Sequence, residues 1–229
     1  FIVNDRAEYM IAGGIDIFTD HSFSGFNCLG AISKSNYKPF DNERDGMMLG
    51  DASAYFVMEE YEHAVKRGAT IYAELLGYST LNEAYHATAP KPDGTMALRV
   101  MREAVQYAGI TPDQIEYINA HGTATKANDE MEFRAIKLFT EGRPVYVSST
   151  KSMTGHTLGA AGSLELLATI VGMLNDFIPP TINVENQMVE EGCDHIRFVR
   201  DKGLPQVYNT AISNSFGFAG NMASVVVKK

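Results

Sequence analysis

Two histidines in this chain sit where imidazole chemistry could be done. His121 lies within Asn119-Ala120-His121-Gly122-Thr123-Ala124-Thr125, and His156 closes Ser148-Ser149-Thr150-Lys151-Ser152-Met153-Thr154-Gly155-His156. Each follows a run that reads as a strand, and small neighbours leave room beside each ring. A lone histidine is as a rule structural or on the surface. Two at strand ends shift the balance, because sites in α/β folds gather at the C-terminal ends of strands. A neutral imidazole donates one N–H, so two rings converging on one carbonyl oxygen could stabilise an enolate. Lys151 reads either as a surface lysine or as a buried ammonium that biases its neighbours. Glu165 falls in an apolar helical run, where a carboxylate needs a partner, and Lys151 is the candidate.

The elements that must hold these groups are legible from period and punctuation. Apolar runs predict strands over 9–12, 55–58, 71–78, 117–120 and 145–148, with closing strands over 196–199, 210–213 and 223–227. Gly13-Gly14 reads as the turn that stops the first strand. Residues 15–50 read as loop-rich, and 82–94 as a polar loop with two prolines. Helices are expected over 59–67, ended by Gly68, and over 96–108, ended by Gly109. The second carries an apolar stripe at 97, 100, 101, 104, 105 and 108. Asp129 with Glu132 resembles a capping box opening a helix to about residue 139. Residues 160–174 are apolar nearly all round, which predicts a buried helix. Strands alternating with helices make the class α/β.

Bulk properties narrow the partners. The 229 residues suffice for a sizeable core. A net charge of −9 argues against nucleic acid. No apolar run reaches the roughly 18 residues of a membrane span, and no signal-peptide pattern is visible, so a cytoplasmic setting is expected. The two cysteines, Cys28 and Cys193, form neither a disulfide framework nor a metal cluster. Cys28 reads as a small buried residue.

The two histidine segments, together with Asn214-Ser215-Phe216-Gly217-Phe218, closely resemble the later part of β-ketoacyl-acyl carrier protein synthases of the elongating, KAS II-like kind. Glu43-Arg44-Asp45-Gly46 with Gly50, Tyr85-His86 with Thr88, and Asn128-Asp129 with Glu132 share that resemblance. It implies a thiolase-like layered αβαβα fold. Residues 1–75 would be the tail of its N-terminal half and residues 76–229 its C-terminal half. The implied activity is decarboxylative Claisen condensation of an acyl thioester with a malonyl group on an acyl carrier protein, in fatty-acid or polyketide synthesis. No cofactor is implied, since the substrates ride on the carrier's phosphopantetheine.

Carried over position by position, the resemblance makes His121 and His156 the ligands of the malonyl carbonyl. Lys151 would tune the site, and Phe218 would be the gate and a backbone oxyanion donor. Thr123, Thr125, Phe216, His86 and Thr88 would line the substrate path. Glu165, Asp129 and Glu132 would be structural support, the last two by capping. Asn119, Glu165, Ser213 and Asn214 match a monovalent-cation site of some members. The family's nucleophilic cysteine is expected upstream of Phe1, so a second segment would complete the enzyme. Such a half would expose a large apolar face. The implied partners are a carrier protein, the missing segment, and a second ketosynthase in a homodimer or heterodimer. A chain-length-type subunit or an acyl-binding scaffold are the other readings. Ala219 stands where the family's gate has glycine, which predicts a stiffer gate.

Overall fold

We describe the protein from a computed structural model covering residues 1–229. The chain begins with an antiparallel pair, β1 (Tyr9–Asp16) and β2 (Ala52–Glu59), separated by helix α1 (Asp20–Cys28) and a long loop. Helix α2 (Tyr61–Lys66) leads to β3 (Glu74–Asn82), helix α3 (Thr95–Tyr107), β4 (Tyr117–Asn119), helix α4 (Lys126–Thr140) and β5 (Val145–Ser148). Then come the one-turn helix α5 (Lys151–Thr154), helix α6 (Ala161–Leu174), and the short strands β6 (Phe177–Ile178), β7 (Ile196–Phe198) and β8 (Leu204–Pro205). Strands β9 (Thr210–Phe216) and β10 (Asn221–Lys228) close the chain.

Six strands form one mixed sheet in the order β3-β10-β9-β4-β5-β7. β4 runs parallel to both β9 and β5, whereas β10 is antiparallel to β3 and β9. Side chains alternate across this sheet with period 2. Ile118, Ile212 and Val226 enter the core beneath α3 and α4. Their neighbours Tyr117, Ala211 and Val227 join Met173 of α6 on the other face. α6 is thus sandwiched between the large sheet and the β1–β2 pair. This layering is what carries β4 and β5, and the histidine loops that follow them, to a common end of the sheet.

The predicted stripe of α3 is the buried one: Ala97, Val100, Met101, Ala104 and Val105 all face inward. Spacings of three and four put them on one side of a 3.6-residue turn. Burying one side chain the size of Val or Met contributes about 1.5–3 kcal/mol. Met101→Ala would therefore cost about 2–5 kcal/mol, the cavity included.

Several expectations are corrected. β1 does not stop at Gly13-Gly14 but runs through both glycines. A Cβ at Gly13 would collide with Ala54 O, and one at Gly14 with Gly159 O. The glycines mark close backbone approach rather than a turn. The loop-rich segment contains α1, whose N-cap Thr19 accepts from Ser22 N–H at 3.1 Å. Its Ser, Asn and Gly content hides it from a propensity reading. Cys28 ends that helix exposed rather than buried. β3 begins at Glu74, and residues 71–73 precede it. α4 starts at Lys126 with Thr125 as its N-cap position, so Asp129 and Glu132 do not cap it. α6 leaves Leu167, Val171 and Leu174 open along one stripe. Ile11 and Val57, each 72% exposed, lie on the β1–β2 pair, and both are unpartnered apolar surface.

Candidate active site

β4 ends at Asn119 and β5 at Ser148, adjacent in parallel register. The chain therefore delivers His121 and the turn carrying Lys151 and His156 to the same place. The two imidazoles meet edge to face, with centroids 5.5 Å apart at 85°. Phe216 packs 5.6 Å from the His121 ring on another side.

The ring nitrogens are assigned by their partners. Lys151 Nζ lies 3.2 Å from His121 Nδ1. An ammonium only donates, so Nδ1 accepts and the His121 proton sits on Nε2. Leu158 N–H donates to His156 Nδ1 at 3.3 Å, which likewise leaves the proton on Nε2. Burial, and then the Lys151 charge, hold His121 well below the usual imidazole range. The same causes bring His156 down to about 3. Both rings are neutral donors at neutral pH, with Nε2–H available.

Lys151 is fully buried and pairs with Glu165 Oε1 from α6. Burial raises the Glu165 carboxyl above its ordinary range, against the pull of Lys151. Pairing across two helices offsets the cost of two desolvated charges. His156 is also held by the loop before β2. Its N–H donates to Met48 O at 2.7 Å, and Gly50 N–H donates to His156 O at 3.2 Å. Sequence reading missed this strand-like clasp. The available signal was Gly50, where a Cβ would collide with Thr154 O.

Glu132 proves to be a clamp. Its Oε1 accepts from His121 N–H and its Oε2 from Gly122 N–H, both at 2.8 Å. Asn214 Nδ2 reaches Oε1 at 3.2 Å, and Ser224 Oγ donates to Asn214 Oδ1 at 2.8 Å. Burial pushes Glu132 up to about 7 against those donors. Asp129 Oδ2 accepts Phe40 N–H at 2.8 Å, a long-range tie in place of a cap.

The remaining candidates lie further out. Thr123 and Thr125 share a hydroxyl contact of 2.9 Å. Phe218 is 44% exposed and packs, tilted, 5.7 Å from Phe26, not on the histidines. Ala219 has φ 59°, the left-handed region. Its N–H donates to Ala87 O at 2.7 Å, and its C=O accepts Asn82 Nδ2 at 2.6 Å. His86 and Thr88 sit in that same exposed loop, where His86 Nδ1 accepts Thr88 N–H at 3.1 Å. No contact joins them to the imidazoles.

The chain is similar to known proteins along its length. Residues 1–64 match the beta-ketoacyl synthase N-terminal domain and residues 72–185 the beta-ketoacyl synthase C-terminal domain. The chain belongs to the β-ketoacyl synthase family, and its fold is thiolase-like. Within that family it is 43% identical over 237 residues to the 3-oxoacyl-[acyl-carrier-protein] synthase 2 of Synechocystis sp., covering 100% of this chain and 56% of that protein. It is 44% identical over 238 residues to the namesake from Coxiella burnetii, with the same coverage. The chain thus spans little more than half the length of these relatives. Among solved structures, a beta-ketoacyl synthase from Burkholderia phymatum superposes with a TM-score of 0.93 at 34% identity, covering 100% of this chain and 56% of that one. A type II polyketide ketosynthase, solved with its acyl-carrier protein and bound to the hexaketide, superposes with a TM-score of 0.93 at 35% identity, covering 99% and 57%.

Proposed function

We propose that this chain supplies the malonyl-activating half of a decarboxylative Claisen condensing enzyme. The observation that carries the reading is the pair of neutral, tautomer-fixed imidazoles at one end of the sheet. Two Nε2–H donors beside one carbonyl oxygen would stabilise the enolate formed when the malonyl C–C bond breaks and CO2 leaves. The enolate carbon would then attack the carbonyl of an acyl thioester held on a cysteine, forming the new C–C bond as the C–S bond breaks and the cysteine thiolate leaves. The backbone N–H of Phe218 would help to hold the resulting oxyanion. That cysteine would come from polypeptide outside these 229 residues, since Cys28 and Cys193 lie away from the histidines' contacts. Thr123 and Thr125 would bind the phosphopantetheine arm of an acyl carrier protein; the relatives are acyl-carrier-protein synthases by name, and the polyketide ketosynthase was solved with its acyl-carrier protein.

The exposed faces of β1–β2 and α6 would receive the complementary ketosynthase segment, and a second ketosynthase-type subunit would complete a dimer. No helix is long and apolar enough to cross a membrane. A monovalent cation near Glu165 fits part of the predicted donor set. Glu165 Oε2 and Ser213 Oγ are buried without partners, whereas Asn214 Oδ1 is occupied by Ser224 and Asn119 Oδ1 accepts Thr150 at 3.4 Å. Oxygen donors suit a hard cation, which would give these two orphaned oxygens a partner. A chain-length-type subunit would have no use for two intact donors.

The test is decarboxylation of malonyl-acyl carrier protein, followed by mass, on the protein with its complementary segment. Product is expected, with loss of at least a hundredfold in rate for His121→Ala and His156→Ala. Equal rates in wild type and both variants would overturn the assignment.

A further inference from the structure

The His121–Gly122 dipeptide is gripped from three sides. Besides the Glu132 clamp, Gly122 C=O accepts the Ser149 hydroxyl at 2.8 Å. The Gly122 Cα faces a ring. A Cβ there would stand 2.8 Å from Phe40 Cε2 and 2.5 Å from Ser149 Cβ. Phe40 is fully buried, yet its φ of 59° lies in the left-handed region. A bulky side chain rarely enters that region, and does so only where its surroundings over-determine it.

Here they do. Asp129 Oδ2 accepts Phe40 N–H at 2.8 Å. Phe40 C=O accepts Met188 N–H at 2.7 Å and Gln187 Nε2–H at 3.1 Å. The ring packs 5.1 Å from that of Phe198. Asp129 is itself fully buried on α4. Its counter-charge is Arg44, 3.6 Å away and itself anchored to Asp41 C=O at 2.8 Å and Lys126 C=O at 3.1 Å. Asp129 thus holds the strained residue, while Glu132, three residues further along the same helix, holds His121 and Gly122.

We infer that Phe40 is a positioning residue for His121, its left-handed backbone turning the ring against Gly122 so that the imidazole keeps Nδ1 toward Lys151. This rests on reading His121 as the donor to a substrate carbonyl. A residue contributed before β2 would then set the geometry of a histidine contributed after β4.

The test uses the 229-residue chain and ring nitrogen NMR of His121 between pH 5 and 8, with a thermal midpoint for each variant. Phe40→Leu keeps an apolar side chain but removes the ring. Phe139→Leu is the control, because Phe139 is buried in the same core cluster but on α4. Wild type and Phe139→Leu should show one neutral Nε2–H tautomer. Phe40→Leu should raise the Nδ1–H fraction several-fold. Asp129→Asn, which weakens the hold on Phe40 N–H, should move the spectrum in the same direction if Phe40→Leu does not fold. A His121 spectrum unchanged in Phe40→Leu, or in Asp129→Asn where only that variant folds, would overturn the inference. So would one shifted equally by Phe139→Leu. The readout is a tautomer and not turnover, so failure of the decarboxylation assay would leave this result standing, and the reverse.

Discussion

His121, buried, and His156, half-buried, are neutral because they are desolvated beside an ammonium, and this has a signed consequence for pH. Their folded pKa values lie below the unfolded value near 6.5. The unfolded chain therefore binds protons first as pH falls below about 6.5, and stability is lost. Glu132 and Glu165 act in the opposite sense, since their raised values favour the folded state below about 7. Replacing His156 by Gln isolates one contribution. Between pH 6.5 and 4.5 the variant should lose less stability than wild type, by at most about 2–3 kcal/mol. Urea unfolding at the two pH values checks it, and a steeper loss in the variant would refute it. Ala219 makes a second prediction at this scale. Its φ of 59° suits glycine, so Ala219→Gly should stabilise the fold by about 0.5–1 kcal/mol. The same change should alter the acyl chain-length profile if the gate is stiffened by its Cβ. A lowered thermal midpoint would count against the strain argument.

At the scale of elements, two helices secure the site through single carboxylates. α6 presents Glu165 to Lys151 of α5, and removing one partner strands the other in the core. Lys151→Met should cost about 3–5 kcal/mol, and adding Glu165→Leu should recover most of it. A double variant no better than the single one would show that packing, not charge, dominates. α4 presents Glu132 to the turn after β4. Glu132→Gln keeps the shape but leaves one buried N–H facing an amide donor. A loss of about 1–3 kcal/mol and faster exchange of the His121 amide are expected. An exchange rate equal to wild type would mean the clamp does not hold the loop.

At the scale of the whole molecule, apolar surface lies open in two places. Ile11 and Val57 on β1–β2 and the Leu167–Val171–Leu174 stripe of α6 are open. Patches of this kind mark interaction faces. The chain alone should self-associate at micromolar concentration. Ile11→Lys with Val57→Lys should reduce that association while changing stability by no more than about 1 kcal/mol. Sedimentation across concentrations decides it, and association unchanged by the charges would place the interface elsewhere.

The sequence by itself determined what local period and residue type encode. The α3 stripe, the strands over 117–120 and 145–148 to within a residue, and the two small-residue loops around His121 and His156 were all readable, because each depends on near neighbours. So was the expectation that Glu165 needs Lys151, since a carboxylate in an apolar helix has few choices. Only the tertiary structure decided the rest. Asp129 and Glu132 looked like caps from their spacing of three, yet their partners are Phe40, His121 and Gly122, brought near by sheet order. Gly13-Gly14 looked like a turn, yet the strand continues because another backbone lies against it. α1 escaped notice because its residues have weak helical preference and are held by context. Which nitrogen of each histidine carries the proton was set by Lys151 and Leu158, through contacts that spacing along the chain does not specify.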